Sequence, residues 1–455
     1  MINIILACDS QGGIGKNNKL PWSFKKDMEF FRKITKYTDF PFLKNAVIMG
    51  RKTWESMNKK PLKNRVNFVI SSNEIVEENI IWAIDFYTAI TKAEVYGVEN
   101  IWIIGGASIY NQCFRFYKKC KLYLTEIHSS FDCDTFIELP PYKKIKQYNT
   151  LDTDRNTGND HSMSFIECEL IDTMEYQYLR LLNVLSYCNE REGRNGITYS
   201  RFGKHLSCDL SDGFPLLTTK RMYWKGIVEE LLFFIRGDVD SKKLENKGIK
   251  IWKGNTTREF LDSVGLNYEE GIMGPMYGYQ WRFFNKPFPD DGKSKGIDQL
   301  AQLIEDIKKN PHSRRLIMTD YNPAQVHQGV LYPCHSLIIQ FYVEKNKLSI
   351  MMYQRSADCF LGLPFNIAST SLFLCIISKL CNLEPSKVTI TLGDCHIYEE
   401  HLDAVSEQLR RLCYKLPKLE IPDFKTLEEV ENSSLKDYKL IDYKHHSAIK
   451  AKMIA

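Results

Sequence analysis

The sequence predicts two domains of different class: an α/β domain with a doubly wound, largely parallel sheet, then a larger α+β domain. Three observations lead there. The chain has 455 residues, more than one hydrophobic core usually supports. Its first third alternates short β-branched runs with polar, amphipathic stretches, the period of βαβ units. From Met174 onward that alternation gives way to long helical segments and a hairpin.

In the first third, Ile2 to Ala7, Ala46 to Met49, Val66 to Ile70, Ile101 to Ile104 and Lys121 to Ile127 read as strands. Several are apolar almost throughout, as strands buried on both faces are. Lys25 to Ile34 reads as an amphipathic helix between them. The last strand, Ser162 to Leu170, follows the polar, turn-rich stretch Asp152 to His161, so the first domain spans residues 1–170. Residues 171–173 contain no Pro, Gly or Ser run and make a short, stiff junction. The second domain, 174–455, opens on a helix with Tyr176, Leu179, Leu182, Val184 and Leu185 on its apolar face. Ile227 to Ile235, Leu300 to Lys308 and Thr370 to Leu380 read as further helices. Leu337 to Val343 and Leu348 to Gln354 form a hairpin turning at Glu344 to Lys347.

Composition narrows the function classes. Hydrophobic residues make up 44% and charged residues 26%, which leaves little room for long disorder. A net charge of +5 suits small anionic substrates and falls short of a nucleic-acid binder. The opening MINIILACDSQGGIG turns polar too early for a signal peptide, and no apolar run is long enough to span a bilayer. The 13 cysteines show no CxxC pair and no zinc spacing. They read as reduced thiols of a cytoplasmic protein without a metal centre.

Four features of the first domain suit a site for a nucleotide and a flat heterocycle. Gly12-Gly13-Ile14-Gly15, followed by Leu20-Pro21-Trp22, allows a loop with backbone angles other residues avoid. Asp27 opens the first helix beside Phe30 and Phe31. A carboxylate among aromatics can hold an amino-substituted ring by paired hydrogen bonds, and desolvation raises its pKa. Gly50-Arg51-Lys52-Thr53 and Gly105-Gly106 each follow a buried strand and open a helix, which turns backbone N–H groups toward phosphate. Taken singly, Asp27 also fits a helix-start carboxylate, the glycine pairs fit turns, and Arg51-Lys52 fits a solvated surface.

Together these stretches resemble dihydrofolate reductase over residues 1–170, through IGKNNKLPW, VIMGRKTWESM, IWIIGGASIY and DCDTF. The resemblance implies that Asp27 holds the pteridine and helps its protonation, with Ile5, Ala7, Phe31, Ile104 and Thr125 around the ring. Arg65 would pair with the glutamate carboxylate of folate. NADPH would lie against Ala7, Gly15, Arg51, Lys52, Thr53, Ser71, Ser72, Gly105, Gly106, Ser108 and Tyr110.

In the second domain, Cys334 stands between Pro333 and His335, with the cation and hydroxyl groups Arg314-Arg315 and Arg355-Ser356 elsewhere in the chain. Arginine forks match phosphate, and nearby cations lower a thiol's pKa. Residues 174–455 resemble thymidylate synthase through DGFPLLTTKR, KGIVEELLFFIRGD, MGPMYGYQWR, SRRLIM, PCHSLIIQFYV, YQRSADCFLGLPFNIAS and LGDCHIY. The resemblance implies that Cys334 adds to the pyrimidine ring of dUMP, with methylenetetrahydrofolate giving up its one-carbon unit and a hydride. Glu230 and Tyr277 would manage protons, Trp252 guide the folate adduct and Asp358 hold the folate ring. Asn366 would read the uracil edge, with His335 also against the substrate and His396 and Tyr398 on the ribose. Arg355, Ser356, Arg314 and Arg315 would bind phosphate, the doublet reaching across from the partner of a homodimer formed through the synthase halves.

Four places depart from the family pattern, one of them Tyr332, the residue before Pro333 and Cys334. The phosphate loop reads Arg191-Glu-Gly-Arg194-Asn-Gly-Ile-Thr, where we favour Arg194 over Arg191 as the ligand. Cys395 replaces a small residue beside His396, and the tail carries His445-His446-Ser447 without the usual prolines. A pyrimidine hydroxymethylase would share the cysteine chemistry, but an amide at Asn366 suits uracil where a carboxylate would suit cytosine. A silent RNA-binding protein fits neither the modest charge nor two catalytic sets. The expected partners are therefore dUMP, dihydrofolate and methylenetetrahydrofolate, with no membrane and no obligatory nucleic acid.

Overall fold

Six apolar segments of the first third pair as parallel strands of one sheet. They were located in a computed structural model, which describes residues 2–116, 120–193 and 195–454 and divides into two units, Met1–Asp172 and Thr173–Ala455. The strands are β1 (Ile2–Cys8), β2 (Asn45–Gly50), β3 (Arg65–Ile70), β4 (Ile80–Ala83), β5 (Ile101–Gly105) and β6 (Lys121–Ile127). An antiparallel pair, β7 (Tyr142–Thr153) and β8 (Asp160–Leu170), completes the sheet in the order β4-β3-β2-β5-β1-β6-β8-β7. Ile4, Val47, Ile48, Phe68, Val69, Ile103 and Leu122 have no exposed surface, which is why these runs lack polar alternation.

Two parts of this sheet escaped the sequence reading. β7 carries Lys143, Lys144 and Lys146 on an exposed edge, a pattern that blocks edge-to-edge pairing and hides the strand from a hydrophobicity search. β4 is only four residues long. Around the sheet lie α1 (Lys25–Lys36), α2 (Arg51–Ser56), α3 (Phe86–Val95) and α4 (Ala107–Phe116). Asp85 caps α3 by accepting the Thr88 N–H at 2.7 Å.

The second unit is built on a mixed six-stranded sheet. Its strands are β9 (Glu190–Gly193), β10 (Gly196–Asp209), β11 (Ile317–Met318), β12 (Ile338–Glu344), β13 (Lys347–Asp358) and β14 (Glu384–Tyr398), in the order β9-β10-β14-β13-β12-β11. The expected hairpin is β12–β13, closed by the pair Glu344 and Lys347. Helices α5 (Met174–Leu185), α6 (Trp224–Ile235), α7 (Gly278–Phe283), α8 (Gln299–Lys309) and α9 (Gly362–Leu380) supply much of the rest of the core. In α5, Val184 is 45% exposed, not on the buried face expected for it. The other four residues of the expected face, Tyr176, Leu179, Leu182 and Leu185, are buried together with Tyr178 and Leu181, and Glu175 accepts the backbone N–H and hydroxyl groups of Thr218 and Thr219.

α9 starts eight residues before the helix read from the sequence, with Pro364 in its first turn, where a missing N–H costs nothing. By length and mean hydropathy it is apolar enough to cross a membrane, contrary to the reading that no run qualifies. Asn366, Ser369, Thr370, Ser371 and Ser378 interrupt it, so it does not read as one run. It packs on β13 and β14 with 78% of its apolar window buried, as the core helix of the unit.

Candidate active sites

In the first unit the carboxyl ends of β1, β2, β3 and β5 lead into the predicted site residues, the position where open α/β sheets bind ligands. Asp27, third residue of α1, is 8% exposed. Burial pushes its carboxyl up to about 6, against a hydrogen bond from Thr125 that favours the charged form, while Asp152 pushes in the same direction as burial. Thr125 pairs with Ala7 across β6 and β1, and the Tyr110 hydroxyl donates to the Ile5 carbonyl at 2.9 Å. Phe31 packs with Ile5 and Ile104 in one apolar cluster. Arg65 lies over the Phe31 ring at 5.9 Å and donates to Thr35 Oγ1 at 2.7 Å. Burial and then the neighbouring Arg32 lower its guanidinium to about 10. Asp27, Ile5, Ala7, Phe31, Ile104, Thr125 and Arg65 thus form one connected group.

The glycine turns converge beside it. A Cβ on Gly106 would stand 3.3 Å from Thr53 Oγ1, and one on Gly50 3.3 Å from Ile109. Arg51 and Lys52 project into solvent from the start of α2, and Ser108 is exposed at the start of α4. Ser71 and Ser72 follow β3, Ser71 buried and Ser72 exposed. Gly13 cannot carry a side chain, because a Cβ would meet Cys133 Sγ at 2.5 Å. Asp9, which the sequence reading passed over, secures this loop by accepting the N–H groups of Gln11, Gly13 and Phe131 at 2.7–2.9 Å. Exposed cations beside turns where a Cβ would be crowded fit a phosphate-rich dinucleotide.

In the second unit Cys334 sits on the turn before β12, partly accessible. Its N–H donates to the Tyr277 hydroxyl at 3.2 Å, and that hydroxyl lies 3.4 Å from Sγ. Its carbonyl accepts the Arg355 N–H at 2.8 Å, and Arg355 Nε donates to the Pro333 carbonyl at 3.2 Å. Burial raises the thiol, the Tyr277 hydrogen bond and the Arg355 charge pull it down, and Asp320 raises it. The rings of Tyr277 and His335 stack at 4.6 Å, and burial lowers His335 to about 4, so the imidazole is neutral.

Trp252 Nε1 donates to Glu230 at 2.9 Å, with its ring 5.7 Å from that of Tyr277. Burial pushes Glu230 up to about 7 despite that bond, a value suited to proton transfer near neutral pH. Asn366 is 7% exposed, and Gln354 orients it by donating to its Oδ1 at 3.0 Å. At the end of β13, Asp358 accepts the N–H groups of Phe360 and Leu361 and pairs in register with His396. His396 Nδ1 lies 2.9 Å from Asp394, which also pairs with Arg191 at 3.1 Å, and the His396 ring packs on Tyr398 at 5.2 Å. Ser356 N–H reaches the Cys334 carbonyl at 3.3 Å.

Arg314 and Arg315 are exposed on the turn into edge strand β11, and among the described residues neither guanidinium forms an ion pair. Arg194 lies outside the described residues. The sequence reading also missed Lys220, whose ammonium sits over the Phe360 ring at 3.8 Å and donates to the Phe360 carbonyl. Burial brings it down to about 7, with Asp358 opposing. Its one sequence signal is a lysine within DGFPLLTTKR. The tail lies across the same region: His446 N–H reaches the Thr218 carbonyl at 2.8 Å, and His401 Nε2 lies 2.8 Å from the Lys452 carbonyl.

The dihydrofolate reductase family profile matches residues 1–170, and the thymidylate synthase family profile matches residues 176–455. Three relatives match along nearly their whole length. A Paramecium tetraurelia protein described as a bifunctional dihydrofolate reductase-thymidylate synthase is 39% identical over 474 positions, covering 99% of this chain and 98% of its own. A rice protein described as a putative enzyme of the same kind is 38% identical over 496 positions, covering 97% and 99%. A Leishmania major protein of that description is 37% identical over 496 positions, covering 99% and 94%.

Proposed function

The chain belongs to the bifunctional dihydrofolate reductase–thymidylate synthase family, and from that premise we propose which of its residues carry the two reactions. It methylates dUMP to dTMP with methylenetetrahydrofolate and reduces the dihydrofolate product to tetrahydrofolate with NADPH. Residues 1–170 are the reductase, 171–173 the junction and 174–455 the synthase.

In the synthase, Cys334 adds to the pyrimidine as a thiolate, with Arg355 and Tyr277 favouring the charged sulfur. Glu230, half-ionised near pH 7, moves protons, and Trp252 holds it in place. Asn366, oriented by Gln354, offers an acceptor and a donor to the uracil edge. Arg355 and Ser356 take the phosphate, His396 and Tyr398 the ribose, and Asp358 the folate ring, with His335 packed against the substrate. In the reductase, Asp27 holds the pteridine and Thr125 orients its carboxyl. Ile5, Ala7, Phe31 and Ile104 wall the ring, and Arg65 pairs with the glutamate of folate. NADPH, when bound, supplies a hydride. Gly15, Thr53, Ser71, Ser72, Gly105, Gly106, Ser108 and Tyr110 shape its groove, and Arg51 and Lys52 meet its phosphates. The observation that carries this reading is the contact of Tyr277 with both the sulfur and the N–H of Cys334.

The assembly is a homodimer through the synthase sheet, in the cytoplasm, with no membrane or nucleic-acid partner. One face of that sheet is covered by α9, while Ile317, Ile338, Tyr342 and Met351 are 45–63% exposed on the other. A bare apolar sheet face next to Arg314 and Arg315 suits a second copy of the chain, whose phosphate site the doublet completes.

One spectrophotometric assay tests the whole reading. With dUMP, methylenetetrahydrofolate and NADPH, NADPH is consumed only when dUMP is present, because only the synthase releases dihydrofolate. NADPH loss without dUMP, or no dTMP formed, would overturn it.

A further inference from the structure

Ser336, the second residue after Cys334, is 6% exposed and has a φ of +61°, a backbone conformation that residues other than glycine rarely adopt. Its hydroxyl oxygen lies 2.9 Å from Nδ1 of His335. The chain on both sides is secured. The Cys334 carbonyl accepts the Arg355 N–H at 2.8 Å, and the Thr319 hydroxyl donates to the Leu337 carbonyl. The His335 ring is held against Tyr277, 22° from parallel. That stack fixes the plane of the imidazole and leaves open which nitrogen carries the proton.

Burial keeps His335 neutral, so one ring nitrogen donates and the other accepts. Which nitrogen does which is set by the hydrogen bond that one of them makes. A buried hydroxyl proton without an acceptor is costly, and among the described residues Nδ1 is the partner of Ser336 Oγ. Ser336 also lines a small cavity beside α9 together with Trp281, whose Nε1–H has no partner among the described residues. With the hydroxyl proton directed at Nδ1, the oxygen keeps its lone pairs for the cavity and suits that N–H. With the bond reversed, a second donor would face it.

We propose that Ser336 is a positioning residue of the synthase: its hydroxyl donates to Nδ1 of His335 and so places the imidazole proton on Nε2, where it serves the pyrimidine. As the bond from the Cys334 sulfur to the ring carbon forms, the C=C pair shifts toward the conjugated carbonyl and its oxygen takes up the negative charge. An N–H beside that oxygen stabilises the charge, and no proton has to leave. The other tautomer would present a lone pair to the same oxygen. The role rests on His335 lying against the substrate.

The test reads the tautomer itself, by magic-angle-spinning nitrogen NMR of the full-length protein isotope-labelled at histidine. The His335 signals are those missing from His335→Gln. In the wild type Nε2 should show the shift of a protonated ring nitrogen and Nδ1 that of a bare one; the reverse, or an even mixture, overturns the proposal. Ser336→Ala removes the hydroxyl, and Ser336→Gly removes it while suiting the left-handed backbone, so a loss common to both is not a folding defect. Both variants should show His335 in mixed tautomers, with kcat for dTMP formation down about tenfold and KM for dUMP within about twofold of wild type. An unchanged tautomer, or a raised KM with kcat intact, would refute the role. His335→Gln with undiminished dTMP formation would instead overturn the placing of His335 against the substrate. The wild-type spectrum still decides the Ser336 bond in that case, which leaves the two failures distinguishable.

Discussion

The hydroxyl of Tyr277 lies 3.4 Å from the sulfur of Cys334 and accepts the Cys334 backbone N–H at 3.2 Å. One side chain thus holds the nucleophile's backbone and can donate to its thiolate. Tyr277→Phe removes both contacts while keeping the stack on His335. The thiol should become less acidic, since a hydrogen bond to the charged form lowers its pKa. We expect the Cys334 alkylation profile to move to higher pH and dTMP formation to fall by about 10²-fold, with dihydrofolate reduction unchanged. An unmoved profile would show that Tyr277 does not tune the sulfur.

Asp27→Asn should nearly abolish NADPH-dependent reduction of dihydrofolate near neutral pH and spare dTMP formation. The loss should lessen at low pH, where the substrate arrives already protonated. Stability provides a second readout. Burial pushes Asp27 from 3.8 up to about 6, so the folded protein binds that proton more tightly than the unfolded chain. Its stabilising share is fully present below the unfolded value and lost as pH rises through about 6. A shift of about two units corresponds to about 3 kcal/mol. Asp27→Asn should therefore gain stability relative to wild type on going from pH 4 to pH 8, measured by denaturant unfolding. A constant difference across that range would mean Asp27 is not desolvated.

Cys334→Ser should eliminate dTMP formation while dUMP still binds, because a hydroxyl is far less nucleophilic at neutral pH than a thiol beside Arg355. Mass spectrometry of wild type with a fluorinated dUMP analogue and methylenetetrahydrofolate should place a covalent adduct on Cys334. An adduct on another residue contradicts the assignment.

Asn366→Asp should shift preference from dUMP toward dCMP, since a carboxylate accepts from an exocyclic amine that a carbonyl cannot offer. The ratio of kcat/KM for the two nucleotides reads this out. If the ratio is unchanged, Asn366 does not contact the base.

Mixing Cys334→Ser with Arg314→Ala subunits should restore dTMP formation in heterodimers, where one site receives both an intact cysteine and an intact partner arginine. Light scattering should give twice the 53.1 kDa chain mass. No rescue after confirmed subunit exchange would mean the doublet serves its own chain.

The sequence by itself determined the elements and the chemical inventory. The parallel strands were legible because burial on both faces leaves no polar residue in Ala46 to Met49 or Ile101 to Ile104. The glycine turns were legible because Gly13 and Gly106 occupy places where a side chain meets another atom. Edge strand β7 was not, since its lysines face solvent, and Val184 was read onto an apolar face whose other four residues are buried while it is half exposed. What only the tertiary structure decided was the state of the groups. Whether Asp27 or Glu230 holds a proton depends on burial by the folded chain, set against hydrogen bonds from residues distant in sequence, Thr125 and Trp252, that favour the charged forms. Hydrophobic periodicity is a local property that a sequence displays directly, whereas a pKa is set by three-dimensional surroundings that only the folded chain assembles.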